Sequence, residues 1–187
     1  ISTLTAVGIQ AALIGNIAHG VITGLLFFLA GAIKDRAHTG RLPELGGLRE
    51  TAPALSGLLG YAAIASLGLP GLAGFWGEAF AVVGALRRGG ALWTVLAVVA
   101  AFGAALAAAY FLRLLRQVTH GHPTPAVAGF APPVVGGRPR LAPAGLANAE
   151  LLSWGPLVVL ALGLGLLPSL VLALSAEAAR ALAAVAA

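Results

Sequence analysis

Apolar residues fall in four blocks, at about 9–33, 52–86, 91–115 and 151–174, separated by short polar or glycine-rich interruptions. A helix rising 1.5 Å per residue needs roughly 20 residues to cross the hydrocarbon of a bilayer. The first, third and fourth blocks have that length and predict single transmembrane helices. The second does not: its roughly 35 residues would make a straight helix of about 50 Å. Near its middle stand Gly68, Pro70, Gly71 and Gly74. Pro70 removes a backbone donor and clashes with the preceding turn, and the glycines let the chain leave helical geometry. The pattern therefore predicts two half-helices joined at about 68–73. Unwound backbone at membrane depth survives only inside protein or beside a water-filled cavity, and discontinuous helices of this kind mark ion paths in transporters. The fold class expected is all-α: a polytopic transmembrane bundle with one broken helix, forming a single membrane domain over 1–187.

Within the first block, Asn16, His19, Gly20, Thr23 and Gly24 follow helical spacing on one face, and Leu13, Ile17, Val21, Leu25 and Phe28 lie largely on the other. This pattern predicts a polar, small face packed inward and an apolar face toward lipid. The cations set the sidedness. Lys34, Arg36, Arg41 and Arg49 follow the first block, and Arg113, Arg116, Arg138 and Arg140 follow the third. Four crossings put all eight on one side, against Arg87, Arg88 and Arg180 on the other. The richer side is expected to be cytoplasmic, with loops 34–51 and 116–148 inside and the C-terminus outside. The loop 118–147, rich in Pro and Gly, reads as an exposed connection. Trp93 and Trp154, near segment ends, are expected as interfacial anchors, and 175–187 as a short interfacial helix.

Composition supports the membrane reading. Of the 187 residues 59% are hydrophobic and only 9% charged, where a soluble domain has about a quarter charged. The net charge of +5 does not point to nucleic acid, because the bases flank apolar runs. The absence of cysteine excludes disulfides, cysteine-ligated zinc and thiolate iron–sulfur sites. No signal peptide is expected in this stretch, and a chain that opens on Ile1 is expected to be a fragment or tail of a longer one.

Against this background one carboxylate stands out. Glu78 follows the break with no basic residue within a helical turn. An ionisable group at membrane centre costs about 2.5–3.5 kcal/mol by insertion scales and is functional by default. Gly74, Ala81 and Ala85 share its helical face, leaving room for close packing or water. The reading is a carboxylate that takes and releases a proton, set against a structural hydrogen-bond partner. His19 is the second candidate, since imidazole accepts and donates through different nitrogens near neutral pH; Asn16 and Thr23 can hold water beside it. Lys34 reads best as a snorkelling anchor at the inner edge of the first block, and Glu150 as a first-turn acid favouring a helix dipole. His38 reads as a surface-loop residue. His120 and His122 lack a third ligand for a metal. No phosphate cradle, Ser–His–Asp set, paired catalytic carboxylates or nicotinamide fingerprint is present, so the chain is expected to hold no cofactor and no redox centre of its own.

The stretches 16-NIAHGVITGLLFFLAGAIKDRAHTGRLPELGGL-48 and 65-ASLGLPGLAGFWGEAF-80 together resemble the antiporter-like membrane subunits of respiratory complex I. The first is similar to that family's helix with a central histidine and its cytoplasmic loop, the second to its broken helix. A glutamate rather than a lysine after the break resembles the subunit M, or chain 4, branch. The loop 118–147 and the C-terminal tail match weakly.

The resemblance implies a chain of about fourteen helices in two inverted repeats, of which the last four crossings stand here. It implies His19 as a central-axis relay and Glu78 as the terminal proton carrier, with Asn16, Thr23, Lys34 and Pro70 in support. It implies a proton-translocating subunit of NADH:quinone oxidoreductase in a bacterial inner membrane. The partners would be other membrane-arm subunits and lipid, and the FMN, iron–sulfur clusters and quinone would lie elsewhere in the complex. The alternatives are a subunit of a multisubunit cation/proton antiporter, a subunit of a proton-pumping membrane hydrogenase, and a purely structural subunit.

Overall fold

The structure, a computed structural model, describes residues 1–130, 146 and 148–185, with backbone only at 148. Arg138 and Arg140, used above for sidedness, and most of the expected loop after 130 lie outside the described residues. The described residues form α1 (Ala6–Ala37), a 3-10 turn (Leu42–Glu44), α2 (Leu48–Thr51), α3 (Pro53–Ala65), α4 (Ala73–Arg88), α5 (Ala91–Thr119), α6 (Pro125–Ala128), α7 (Asn148–Leu166) and α8 (Ser169–Val185), with no strand among them. Three helices, α1, α5 and α7, are long and apolar enough to cross a membrane.

Local chemistry sets the ends. The Thr5 hydroxyl accepts from the Gly8 amide at 3.1 Å, capping α1 one turn before the first block's expected start. At its far end Lys34 and Arg36 sit in the last turn, where cations favour the helix dipole, and His38 at φ +54° turns the chain away. α3 starts on Pro53, whose missing N–H costs nothing at a first helical position. Between α3 and α4, residues 66–72 are not helical. Gly68 (φ +62°) and Gly71 (φ +86°) take left-handed conformations around Pro70, as the break required.

The fourth apolar block differs from the expected single helix over 151–174. α7 ends at Leu166 and α8 begins at Ser169. Pro168 explains the division: it lacks a donor and pushes Leu167 away from helical backbone. Residues 175–185 of the segment expected as a short interfacial helix over 175–187 belong to α8, which starts before them; 186 and 187 lie outside the described residues. Pro156, in contrast, sits inside α7 without ending it.

The chain forms two compact units. The first comprises Ile1–Thr23, Ile64–Ala109 and Val158–Ala187, the second Gly24–Ala63 and Tyr110–Leu157. The first packs on small residues. A Cβ on Gly77 would lie 2.6 Å from the Gly15 Cα, and one on Gly84 would lie 2.9 Å from the Gly8 Cα. α1 and α4 therefore cross antiparallel with backbones in contact. Trp76 closes the other side. Its indole N–H donates to the Gly165 carbonyl at 2.8 Å, and its ring lies edge-on to Phe75 and Phe80. A Cβ on Gly165 would overlap the Gly71 carbonyl and the Leu72 backbone, so the C-terminal turn of α7 rests directly on the break. Trp76→Phe keeps an aromatic ring but loses the bond and the pyrrole half of the indole. It is expected to lower stability by at least about 1 kcal/mol, measured as a fall in the thermal midpoint of the purified membrane protein.

The second unit is built on Leu25, Leu29, Leu48, Leu55 and Val127, all fully buried. Trp154, expected as an interfacial anchor, is buried here too, at 4% exposure. Arg36 holds Glu150 with two bonds at 2.7 and 2.9 Å. Glu150 does stand in the first turn of α7, and it has this ion partner as well. Gly47 donates to the His120 carbonyl at 3.1 Å and Thr124 to the Gly46 carbonyl at 3.1 Å, clasping the loop after α5 to the start of α2. Lys34 is exposed and its stem lies along Gly40, beside an apolar hollow that includes Ile33, Leu42 and Leu59.

Candidate functional site

The break and the helices around it make the site, all within the first unit. α4 starts against the end of α3: a Cβ on Gly74 would lie 2.6 Å from the Ala65 carbonyl. This brings Glu78, little more than one turn into α4, back over the break. Its carboxylate occupies the space where a Cβ of Gly68 would be. Glu78 has no hydrogen-bond or ion-pair partner among the described residues.

Glu78 borders two cavities. The first, of about 270 Å³, is lined by Asn16, His19, Ser66, Gly74 and Ala81, among others. The second, of about 630 Å³, is lined by Gly68, Phe75, Val82 and a run of small residues on α5, Ala100, Gly103, Ala104 and Ala107. Glu78 and Ala81 are common to both. A third, of about 290 Å³, shares Ala11, Ala12 and Ala81 with the first and Ala81 and Ala100 with the second. It continues to Ser2, Thr3 and Trp93. The first cavity has room for water and offers it polar partners in Asn16, His19, Ser66 and Glu78, while the second is walled mainly by apolar side chains.

His19 Nε2 and Thr23 Oγ1 lie 3.3 Å apart, one helical turn from each other, so Thr23 orients the imidazole. The first cavity thus brings together Glu78, Asn16 and His19, with Thr23 behind the histidine. Pro70 lies in the turn of the break. Lys34 belongs to the second unit and lines neither of the Glu78 cavities.

The packing of α1 corrects the expected face. Ile14, Ala18, Ile22, Leu25, Leu29 and Ile33 are its buried stripe, while Asn16, His19 and Gly20 are exposed on this chain. Leu25, assigned to lipid from the pattern, is fully buried; Leu13, Ile17 and Phe28 are exposed as expected. One apolar stripe of α1 packs within the chain, a second set, Leu13, Ile17, Phe27 and Phe28, is exposed, and the polar residues face open space and cavity. Sequence reasoning also missed Ser66, whose signal was a lone hydroxyl just before the break, and Gly68 as the carboxylate's neighbour.

Chemically the arrangement is a single acid bordering two spaces, with an imidazole, an amide and a hydroxyl on the polar one. A carboxyl so placed can take up a proton from one space and, by turning its side chain, present it to the other.

Residues 1–128 match the family described as NADH:quinone oxidoreductase/Mrp antiporter, TM. The chain belongs to this family. Among curated relatives it is 41% identical over 121 residues to NAD(P)H-quinone oxidoreductase chain 4 2 of Trichodesmium erythraeum, covering 63% of this chain and 22% of that protein. It is 37% identical over 124 residues to chain 4-3 of Nostoc sp., covering 65% and 22%. The chain therefore spans under a quarter of the length of these relatives. Among solved structures it is similar to a chain of respiratory complex I from Thermus thermophilus with bound NADH. The TM-score is 0.76 at 31% identity, over 97% of this chain and 34% of the other. A chain of the Mrp complex from Dietzia sp. gives 0.74 at 25% identity, over 96% and 39%. The all-helical fold with its broken helix is thus that of the family's membrane subunits.

Proposed function

We propose that this chain is part of a proton-translocating membrane subunit of a bacterial NADH:quinone oxidoreductase, and that Glu78 carries protons between the hydrated space at His19 and the outer side. The observation that carries this reading is the unpartnered Glu78 carboxylate, held over a broken helix and bordering two cavities at once. Asn16 and His19 line the inward cavity and Thr23 orients the imidazole, so a proton can pass by water between His19 and Glu78. The third cavity, leading to Ser2, Thr3 and Trp93, is the onward route.

The residues do not carry electrons. Redox chemistry with FMN, iron–sulfur clusters and quinone belongs to other subunits of the complex, and this chain works with neighbouring membrane-arm subunits and lipid in the inner membrane. The cations support a sidedness: Lys34, Arg36, Arg41 and Arg49 follow the first apolar block and Arg113 and Arg116 stand at the end of the third, so by the positive-inside rule the loops beside them would face the cytoplasm.

The likeness to the Mrp complex supports a second reading, a cation/proton antiporter subunit. Glu78 is the one carboxylate in the lining of both cavities, which favours protons over a metal cation that needs several oxygens to replace its hydration shell. The readings separate in vesicles carrying the assembled complex with the full-length subunit. NADH-driven proton uptake that is independent of sodium and lost in Glu78→Gln supports the first. Uptake unchanged in Glu78→Gln at normal assembly overturns it, and sodium-dependent exchange favours the second.

A further inference from the structure

We propose that Gly68 is the seat of the Glu78 carboxylate, a positioning residue whose missing side chain holds the acid at the meeting of the two cavities. This rests on the proton-carrying role of Glu78 and adds a second residue to it.

Gly68 has φ +62°, so its Cα hydrogens are turned toward α4. A Cβ there would overlap Glu78 Oε2 and come within 2.9 Å of its Cδ, closer than carbon atoms approach without bonding. The carboxylate thus turns its Oε2 edge toward the backbone of the break, with Oε1 farther away. No described residue offers it a hydrogen bond, so its position is set by shape. Gly68 lines the second cavity beside Glu78, and seating the carboxylate there keeps it on the wall between that cavity and the one holding Asn16 and His19.

A methyl group at 68 meets the free end of a flexible side chain. The cheap response is rotation of Glu78 about its own χ angles, with the backbone left in place. The fold is therefore expected to survive while the acid moves. Gly71 is the matched control. Its φ of +86° imposes the same kind of backbone strain on alanine, yet a Cβ there meets nothing within 4 Å. Gly71 lines neither cavity.

The experiment is a double-mutant cycle in the full-length subunit within its assembled complex, reading protons taken up per electron transferred in vesicles, with assembly checked on native gels. Gly68→Ala is expected to lower the ratio several-fold and Gly71→Ala to leave it at the parental value. Glu78→Asp shortens the side chain by one methylene, so adding Gly68→Ala to it is expected to bring no further loss. Gly68→Asn tolerates left-handed backbone better than alanine while still supplying a Cβ. It should reproduce the Gly68→Ala loss, and it serves as the probe if the alanine variant assembles poorly. A parental ratio in Gly68→Ala or Gly68→Asn, an equal loss in Gly71→Ala, or the same fractional loss from Gly68→Ala in the Glu78→Asp background would overturn the proposal. Glu78→Gln run alongside separates the two claims: if it pumps normally, the proton-carrying role itself fails.

Discussion

Replacing Glu78 by glutamine in the full-length subunit is expected to leave assembly intact and to cut coupled proton uptake about 100-fold through this path. The substitution keeps the side chain's volume and shape, so the seat over Gly68 and the packing of α4 on α1 are unchanged. What it removes is the ability to exchange a proton. A positioned acid–base group contributes typically 10²–10⁴-fold to a proton-transfer step, and the described residues lining the two cavities offer no second carboxylate to take over. The measurement compares NADH oxidation with fluorescence quenching of a pH-sensitive dye in inverted vesicles. Parental quenching per electron, with the complex at normal abundance, would make Glu78 a structural group and leave His19 without a partner to relay to.

Gly77→Leu is expected to prevent stable assembly. Even the Cβ of alanine would stand 2.6 Å from the Gly15 Cα, 3.2 Å from its N and 3.6 Å from the Ala11 carbonyl oxygen. All three are backbone atoms of a helix and have no rotamer to give. α1 and α4 must separate, and overpacking of this kind costs about 1–3 kcal/mol for a few extra methylenes. For leucine the loss extends along both helices, because Gly8 and Gly84 hold the same crossing. Gly103→Ala, at a position where a Cβ meets nothing within 4 Å, is the control expected to be neutral. Subunit abundance in membranes and the thermal midpoint of the solubilised complex read the difference. A Gly77→Leu variant as abundant and as heat-stable as the parent would mean that α1 and α4 do not meet as described.

The break between α3 and α4 was legible in the sequence because Gly68, Pro70 and Gly71 act locally, on their own φ angles and donors. The acid after it was legible because a charge in an apolar run needs a reason. The packing faces were harder to read. Leu25 on α1 and Trp154 on α7 are buried, though pattern assigned the one to lipid and the other to the interface. In a bilayer the solvent is itself apolar, so hydrophobicity does not separate a helix face that meets lipid from one that meets protein. The signal that does separate them here is size, in the glycines and alanines of the first unit. The Arg36–Glu150 pair joins residues 114 positions apart, and no local rule connects them. Pro168 carried its information openly but was outweighed by the hydrophobic run around it.

The crossing of α1 and α4 also has a bearing on descent. Gly8 meets Gly84 and Gly15 meets Gly77, seven residues on along one helix and seven back along the other. The constraint is one-sided: a Cβ on Gly77 or Gly84 runs into the backbone of Gly15 or Gly8, whereas one on Gly15 would stand 3.4 Å from the Gly77 Cα and one on Gly8 would meet the Thr3 and Thr5 side chains instead. Selection therefore bears hardest on the α4 side of the crossing: related chains are expected to keep the smallest residue at the positions of Gly77 and Gly84, and to vary more freely at that of Gly15.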